Sequence, residues 1–205
     1  MSENKNQILK LDKINLKSAL NTMEKAFIND PFYMYLIKDR EKREQFLKKF
    51  FEFRLSYGLN YGEVFITSQN MEGVAVWFFE DEVYMTKKKA MKSGFLKFLL
   101  TTNPLILSEL MKLEEYSESM EKKHAPFKHC KLSPIAVNPS YQKKGFGKKL
   151  MENMMVKLDE SNMPCYLQTQ SEYNVALYQK YGFKIVEEKR IPGTYILDYV
   201  MLRKE

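Results

Sequence analysis

The stretch from Lys131 to Asp159 constrains the fold more than any other part of the chain. Lys131 to Val137 reads as a strand, Asn138-Pro139-Ser140 as a turn, and Gln142-Lys143-Lys144-Gly145-Phe146-Gly147 as a glycine-containing loop. Gly147 to Asp159 then reads as a helix, with one apolar stripe at Leu150, Met154 and Leu158 and a second row at Met151 and Met155. A helix striped in this way must bury that face against another layer, and the strand feeding it supplies a sheet. The same unit concentrates unpaired backbone N–H groups. The first turn of a helix leaves donors without intrahelical acceptors, and the macrodipole adds partial positive charge there. Gly145 and Gly147 let the backbone come close to a ligand, and Lys143, Lys144, Lys148 and Lys149 add full charges, so the loop is an anion site.

Three readings compete for such a loop. It is not the dinucleotide fingerprint, because the third glycine position of GxGxxG is Leu150, and it lacks the GK[ST] of a Walker A loop. A solvated helix start is the bland reading. A basic helix inserted into DNA is the other, but it would have to expose the Leu150/Met154/Leu158 stripe or bury it elsewhere. Charge alone does not choose: a formal +7 over 205 residues suits nucleic acid, a phosphorylated cofactor, or merely a lysine-rich surface.

The rest of the chain predicts an α/β domain with a mixed sheet. Ile8 to Leu11 reads as a short first strand. Leu16 to Phe27 reads as a helix capped by Asn15 and broken at Asp30-Pro31, and Arg40 to Tyr57 as a helix stopped by Gly58. Glu63 to Ser68 and Gly73 to Phe79 pair as a hairpin across Gln69-Asn70-Met71-Glu72. Residues 86–126 form a helical insertion before the Lys131 strand, split at Asn103-Pro104, whose apolar face fits a lid, a dimer surface or additional core. After the glycine loop come a strand at Cys165 to Thr169, a short helix at Tyr173 to Lys180, and strands at Phe183 to Glu188 and Ile196 to Leu202.

Hydrophobic residues at 44% of the chain are ample for a core. The N-terminal MSENKNQ lacks the order of a secretory signal. The apolar region from Gly94 to Leu107 is too short and interrupted to span a bilayer. Cys130 and Cys165 alone make neither a disulfide framework nor a metal-ligand spacing. These features predict one domain over residues 1–205, soluble and cytoplasmic, with no metal.

The run Ile135-Ala136-Val137-Asn138-Pro139-Ser140-Tyr141-Gln142-Lys143-Lys144-Gly145-Phe146-Gly147-Lys148-Lys149-Leu150 resembles the cofactor motif of the GNAT acetyltransferase superfamily, with its [QR]-x-x-G-x-[GA] core. A second match follows at the expected distance: Tyr166-Leu167-Gln168-Thr169, then Asn174-x-Ala176-Leu177-Tyr178-x-x-Tyr181-Gly182-Phe183. Together these cover roughly the C-terminal third. His129-Cys130-Lys131-Leu132 is similar to a branch carrying His-x-His-Leu; the second histidine is Lys131 here, so its role there does not carry over.

The resemblance implies an acetyl-CoA-dependent N-acetyltransferase. The Lys131–Val137 strand would splay from Cys165–Thr169, and the main chain of Ile135, Ala136 and Val137 would meet the pantetheine arm as an added strand does. Pro134 suits either that interrupted ladder or a simple bulge. Residues Gln142, Lys143, Lys144, Gly145, Phe146, Gly147 and Lys148 would hold the diphosphate, with Asn174 beside the cofactor. Tyr178 matches the proposed general acid, on one helical face with Asn174, against the alternative of a packed aromatic; for Tyr181 packing is preferred. The base is left open among His129, Glu80, Asp81, Glu82, Glu172 and a relaying water. The acceptor is an amine, its choice set by the first helices, Phe78 to Tyr84, the insertion and Arg190 to Tyr195. No nucleic-acid or membrane partner is expected, and a homodimer fits. A non-catalytic acyl-CoA-binding module and a basic nucleic-acid-binding protein stand as alternatives.

Overall fold

The computed structural model describes residues 8–204, so the leading MSENKNQ segment lies outside it, as does the Asp81 side chain. Seven strands form one sheet: β1 (Leu9–Lys10), β2 (Glu63–Ile66), β3 (Gly73–Phe79), β4 (Cys130–Val137), β5 (Cys165–Thr169), β6 (Lys184–Arg190) and β7 (Leu197–Arg203). Their spatial order is β1-β2-β3-β4-β5-β7-β6. Every neighbouring pair is antiparallel except β4 and β5, the one parallel pair, at the centre.

Helices cover both faces. On one side lie α1 (Leu16–Phe27), α2 (Pro31–Leu36) and α3 (Arg40–Tyr61). Their core residues include Met23, Leu47, Phe51 and Leu55, buried with Val64, Val74 and Val76 of the sheet. On the other lie α7 (Phe146–Ser161) and α8 (Glu172–Gln179). The α7 stripes, Leu150, Met151, Met154, Met155 and Leu158, are all buried, in one cluster with Trp77, Leu132 and Met201. That burial excludes a helix offering those side chains to a duplex, and it makes Trp77 core rather than pocket wall.

Two helix boundaries differ from expectation. Asn15 makes no side-chain cap; instead its own amide donates to Asp12 Oδ1 at 2.9 Å. Gly58 does not stop α3, which runs on to Tyr61. Glycine is needed there for a close approach: a Cβ on Gly58 would sit 2.7 Å from Val76 Cγ1. The helix ends instead at Gly62, where a Cβ would stand 2.4 Å from the Trp77 carbonyl. Asp30-Pro31 ends α1 and also starts α2, Asp30 accepting from the Phe32 amide at 2.9 Å with Pro31 in the first turn.

The insertion is three helices, α4 (Lys87–Lys92), α5 (Phe95–Thr101) and α6 (Pro104–His124). The first break, at Gly94 (φ +93°), was not expected from the sequence; the second is the Asn103-Pro104 start, Asn103 accepting from the Leu105 amide at 2.9 Å. Phe98 and Leu110 join the α3 core, so much of the insertion is packed core. Among the described residues no helix is long and apolar enough to cross a membrane.

Candidate active site

β4 and β5 lie side by side only at Cys130–Cys165 and Lys131–Tyr166, and then part. β4 follows β3 as far as Val137, while β5 follows β7 as far as Thr169. A bulge marks the divergence: Ser133 and Pro134 fall between the Trp77–Leu132 and Ala75–Ile135 pairs, where β3 has only Val76. The gap forms a cleft of about 200 Å³.

Backbone direction decides what β4 offers this cleft. The Asn138 amide donates to the Glu72 carbonyl at 2.8 Å, so Asn138 faces β3. Strand residues alternate, so Ala136 also directs its main chain to β3, opposite Val74, whereas Ile135 and Val137 direct theirs to the open side. Val137 accordingly accepts from Gln142 Nε2 at 3.2 Å. Of the three strand residues expected at the pantetheine arm, Ala136 is a buried β3 partner.

The anion loop follows at once. Asn138 caps a single 3-10 turn over Pro139–Tyr141, accepting from the Ser140 amide at 3.1 Å. Lys143 (φ +62°) and Gly145 (φ +86°) then take left-handed conformations that turn the chain into α7. Gly145 brings no capping side chain, and the first amide bonded back is that of Lys149, to the Gly145 carbonyl at 3.0 Å. Among the described residues no acceptor pairs the amides of Lys143 through Lys148. Gly147 has no reason within the fold to be glycine: a Cβ there would make an ordinary 3.6 Å contact with Val137 Cγ2. A bare backbone that the protein does not require, beside unpaired donors at a helix start, fits a diphosphate. The surrounding lysines are lightly engaged, Lys144 with the Ser140 carbonyl at 3.1 Å and Lys148 with Glu152 at 3.5 Å.

Tyr178 and Asn174 both line the cleft from α8. Asn174 Nδ2 donates to Thr169 Oγ1 at 3.3 Å, tying α8 to the end of β5. Tyr178 is buried, with its ring against Phe183. Burial pushes its pKa upward, so it stays protonated at neutral pH.

A residue the sequence presented only as a helix breaker lies across the same cleft. Asp30 faces it from the α1–α2 junction, with no cation paired to its carboxylate among the described residues. Burial raises its pKa to about 6, against the lowering effect of the Phe32 and Tyr33 amides. Buried Arg43 fixes this junction, donating to the Ile28 carbonyl at 2.6 Å and the Ile37 carbonyl at 2.7 Å. The Asp-Pro pair was readable as a helix start; its position in the cleft depends on α3 and was not.

His129, Glu80, Glu82 and Glu172, among which the sequence leaves the base open, each have partners of their own. His129, almost wholly buried, contacts the Phe127 carbonyl at 2.7 Å and Glu121 at 3.1 Å. Glu80 pairs with Lys128 at 3.0 Å, Glu82 with Lys89 at 2.5 Å, and Glu172 accepts from Tyr199 at 3.2 Å. Glu121 is itself buried; burial would raise its pKa, but Lys131 at 2.5 Å and His129 outweigh that and hold it low. Tyr195, expected near the acceptor, is 66% exposed and packs edge-on to Tyr35.

The strand order and the parting of β4 from β5 give the chain the fold of GNAT acetyltransferases. Residues 113–185, from α6 into β6, match the family model described as the acetyltransferase (GNAT) domain. Solved structures share the fold across nearly the whole chain. A histone acetyltransferase HPA2 and related acetyltransferase from Corynebacterium glutamicum is 17% identical, with 97% of this chain and 95% of that one covered at TM-score 0.70. A putative arylalkylamine N-acetyltransferase 7 from the mosquito Aedes aegypti is 11% identical, covering 96% and 86%, at 0.64. The PaiA N-acetyltransferase of Thermoplasma acidophilum, solved in complex with coenzyme A, is 14% identical, covering 97% and 98%, at 0.55. No curated protein sequence matches this chain.

Proposed function

We propose that the protein transfers the acetyl group of acetyl-CoA to the nitrogen of an amine that enters the β4–β5 cleft, in the cytoplasm. The observation that carries this reading is the juxtaposition at one strand edge: unpaired amides from Lys143 to Lys148, the main chain of Ile135 turned away from β3, and Tyr178 and Asp30 lining the same cleft.

The chemistry assigns each group a task. The amine lone pair attacks the thioester carbonyl carbon, the C–S bond breaks, nitrogen loses a proton and the departing sulfur gains one. Asp30, with a pKa near 6, is ionised at neutral pH and takes the proton from nitrogen. Tyr178, kept neutral by burial, donates to sulfur. The diphosphate rests on the amides of Gly145, Phe146, Gly147 and Lys148, and Lys143 and Lys144 supply charge from the loop.

Thiol release from acetyl-CoA in the presence of an amine panel tests the transfer, and a thermal shift with CoA tests binding. A millimolar CoA concentration that leaves the melting curve unmoved rejects the diphosphate site. CoA binding without thiol release from any amine supports the non-catalytic module instead.

A further inference from the structure

A second cavity, of about 400 Å³, adjoins the cleft. The two share Phe50 and Arg54 of α3, Glu114 and Ser117 of α6, and Lys131 of β4. Its lining includes the rings of Phe53, Tyr57, Phe78, Phe95 and Phe98, so it takes a bulky apolar body.

The junction carries charge of both signs. Lys131 is neutralised by Glu121 at 2.5 Å. Arg54 has no carboxylate partner among the described residues; it donates once, to Ser133 Oγ at 3.0 Å, and lies over the Phe50 ring at 5.9 Å. Four of the five guanidinium donors are thus left over. Glu114 likewise has no cationic partner among the described residues. Both act on Tyr33, together with Asp30, so the three charges surround one ring.

We propose that the acceptor is an α-amino acid with an aromatic or large aliphatic side chain and a free carboxylate, its carboxylate held by Arg54 at the junction, its amino group delivered past Glu114 to Asp30, and its side chain in the aromatic cavity. The inference rests on the transfer reading above. An amine bearing the same body but no carboxylate leaves the Arg54 donors without an acceptor. A zwitterion offers Arg54 the planar acceptor that a guanidinium binds through two parallel hydrogen bonds.

The test follows thiol release from acetyl-CoA with phenylalanine, methionine, phenethylamine, spermidine and a peptide N-terminus as acceptors. Turnover of phenylalanine at a kcat/KM at least 10-fold above phenethylamine is expected. Arg54→Met should raise KM for phenylalanine by about 10- to 100-fold with less effect on kcat, while KM for phenethylamine should rise by far less or fall. Arg54→Lys should restore part of the phenylalanine KM. Equal losses toward both acceptors would make Arg54 structural and overturn the assignment. Preference for phenethylamine, spermidine or the peptide would overturn it while leaving acetyl transfer intact. Silence with every acceptor, CoA still raising the melting temperature, would remove the transfer reading and this inference with it.

Discussion

Replacing Asp30 with Asn separates stability from activity. The carboxylate is half-buried with no cation paired to it among the described residues, and its pKa of about 6 in the fold compares with an ordinary 3.8. For an acid raised in this way, the folded state binds its proton more tightly than the unfolded chain. Stability is therefore lost as pH climbs from about 4 through 6, and the full cost is present above it. That gap corresponds to about 3 kcal/mol, reduced toward about 1 kcal/mol where cleft water screens the charge. Asn keeps the side-chain oxygen that accepts from the Phe32 amide at 2.9 Å, so the α2 cap survives. Asp30→Asn should therefore raise Tm by about 2–10 °C at pH 8 and by roughly a third of that at pH 4.5. Its turnover at pH 8 should fall by about 10²- to 10⁴-fold, and the acid limb near pH 6 in the wild-type kcat/KM profile should disappear. Melting curves at both pH values and a pH–rate profile read all three. A Tm lowered equally at both pH values would show that no uncompensated charge is buried there. An unchanged rate would remove Asp30 from proton transfer.

Four further outcomes follow from other parts of the molecule. Tyr178→Phe keeps the ring that packs on Phe183, so stability and CoA-induced Tm shift should hold while kcat drops by about 10²-fold or more; an unchanged kcat removes the acid role. Gly147→Ala meets only a 3.6 Å contact in the fold, so the free protein should melt as before but lose most of its CoA-induced shift. Lys131→Met leaves buried Glu121 with His129 alone and should cost about 3–5 kcal/mol at neutral pH; the loss should shrink at acid pH, as the contribution of a carboxylate with a lowered pKa does, and chemical denaturation checks both. Gly58→Ala forces a methyl to 2.7 Å from Val76 and should lower unfolding free energy by about 1–3 kcal/mol without altering KM for acetyl-CoA.

What the sequence determined was local. The turn at Asn138-Pro139-Ser140, the glycines at 145 and 147 and the stripe on α7 are set by neighbours within a few residues, so the anion loop and its sheet–helix setting were legible. The spacing from Asn174 to Tyr178 likewise placed both on one helical face. α3 was harder to delimit, because it is covered on more than one side and runs through a glycine chosen for contact with β3. Which main-chain groups of β4 face the cleft was decided by the Asn138–Glu72 register, which assigned Ala136 to β3 and turned Ile135 and Val137 away from it. The proposed proton acceptor and the proposed acceptor cavity are products of tertiary structure alone. Asp30, Arg54, Glu114 and Tyr178 come from α1–α2, α3, α6 and α8, and nothing in their spacing along the chain records that they meet. Local order follows from short-range sterics and hydrogen bonding, whereas a site assembled from four distant segments exists only once the shared core has packed them together.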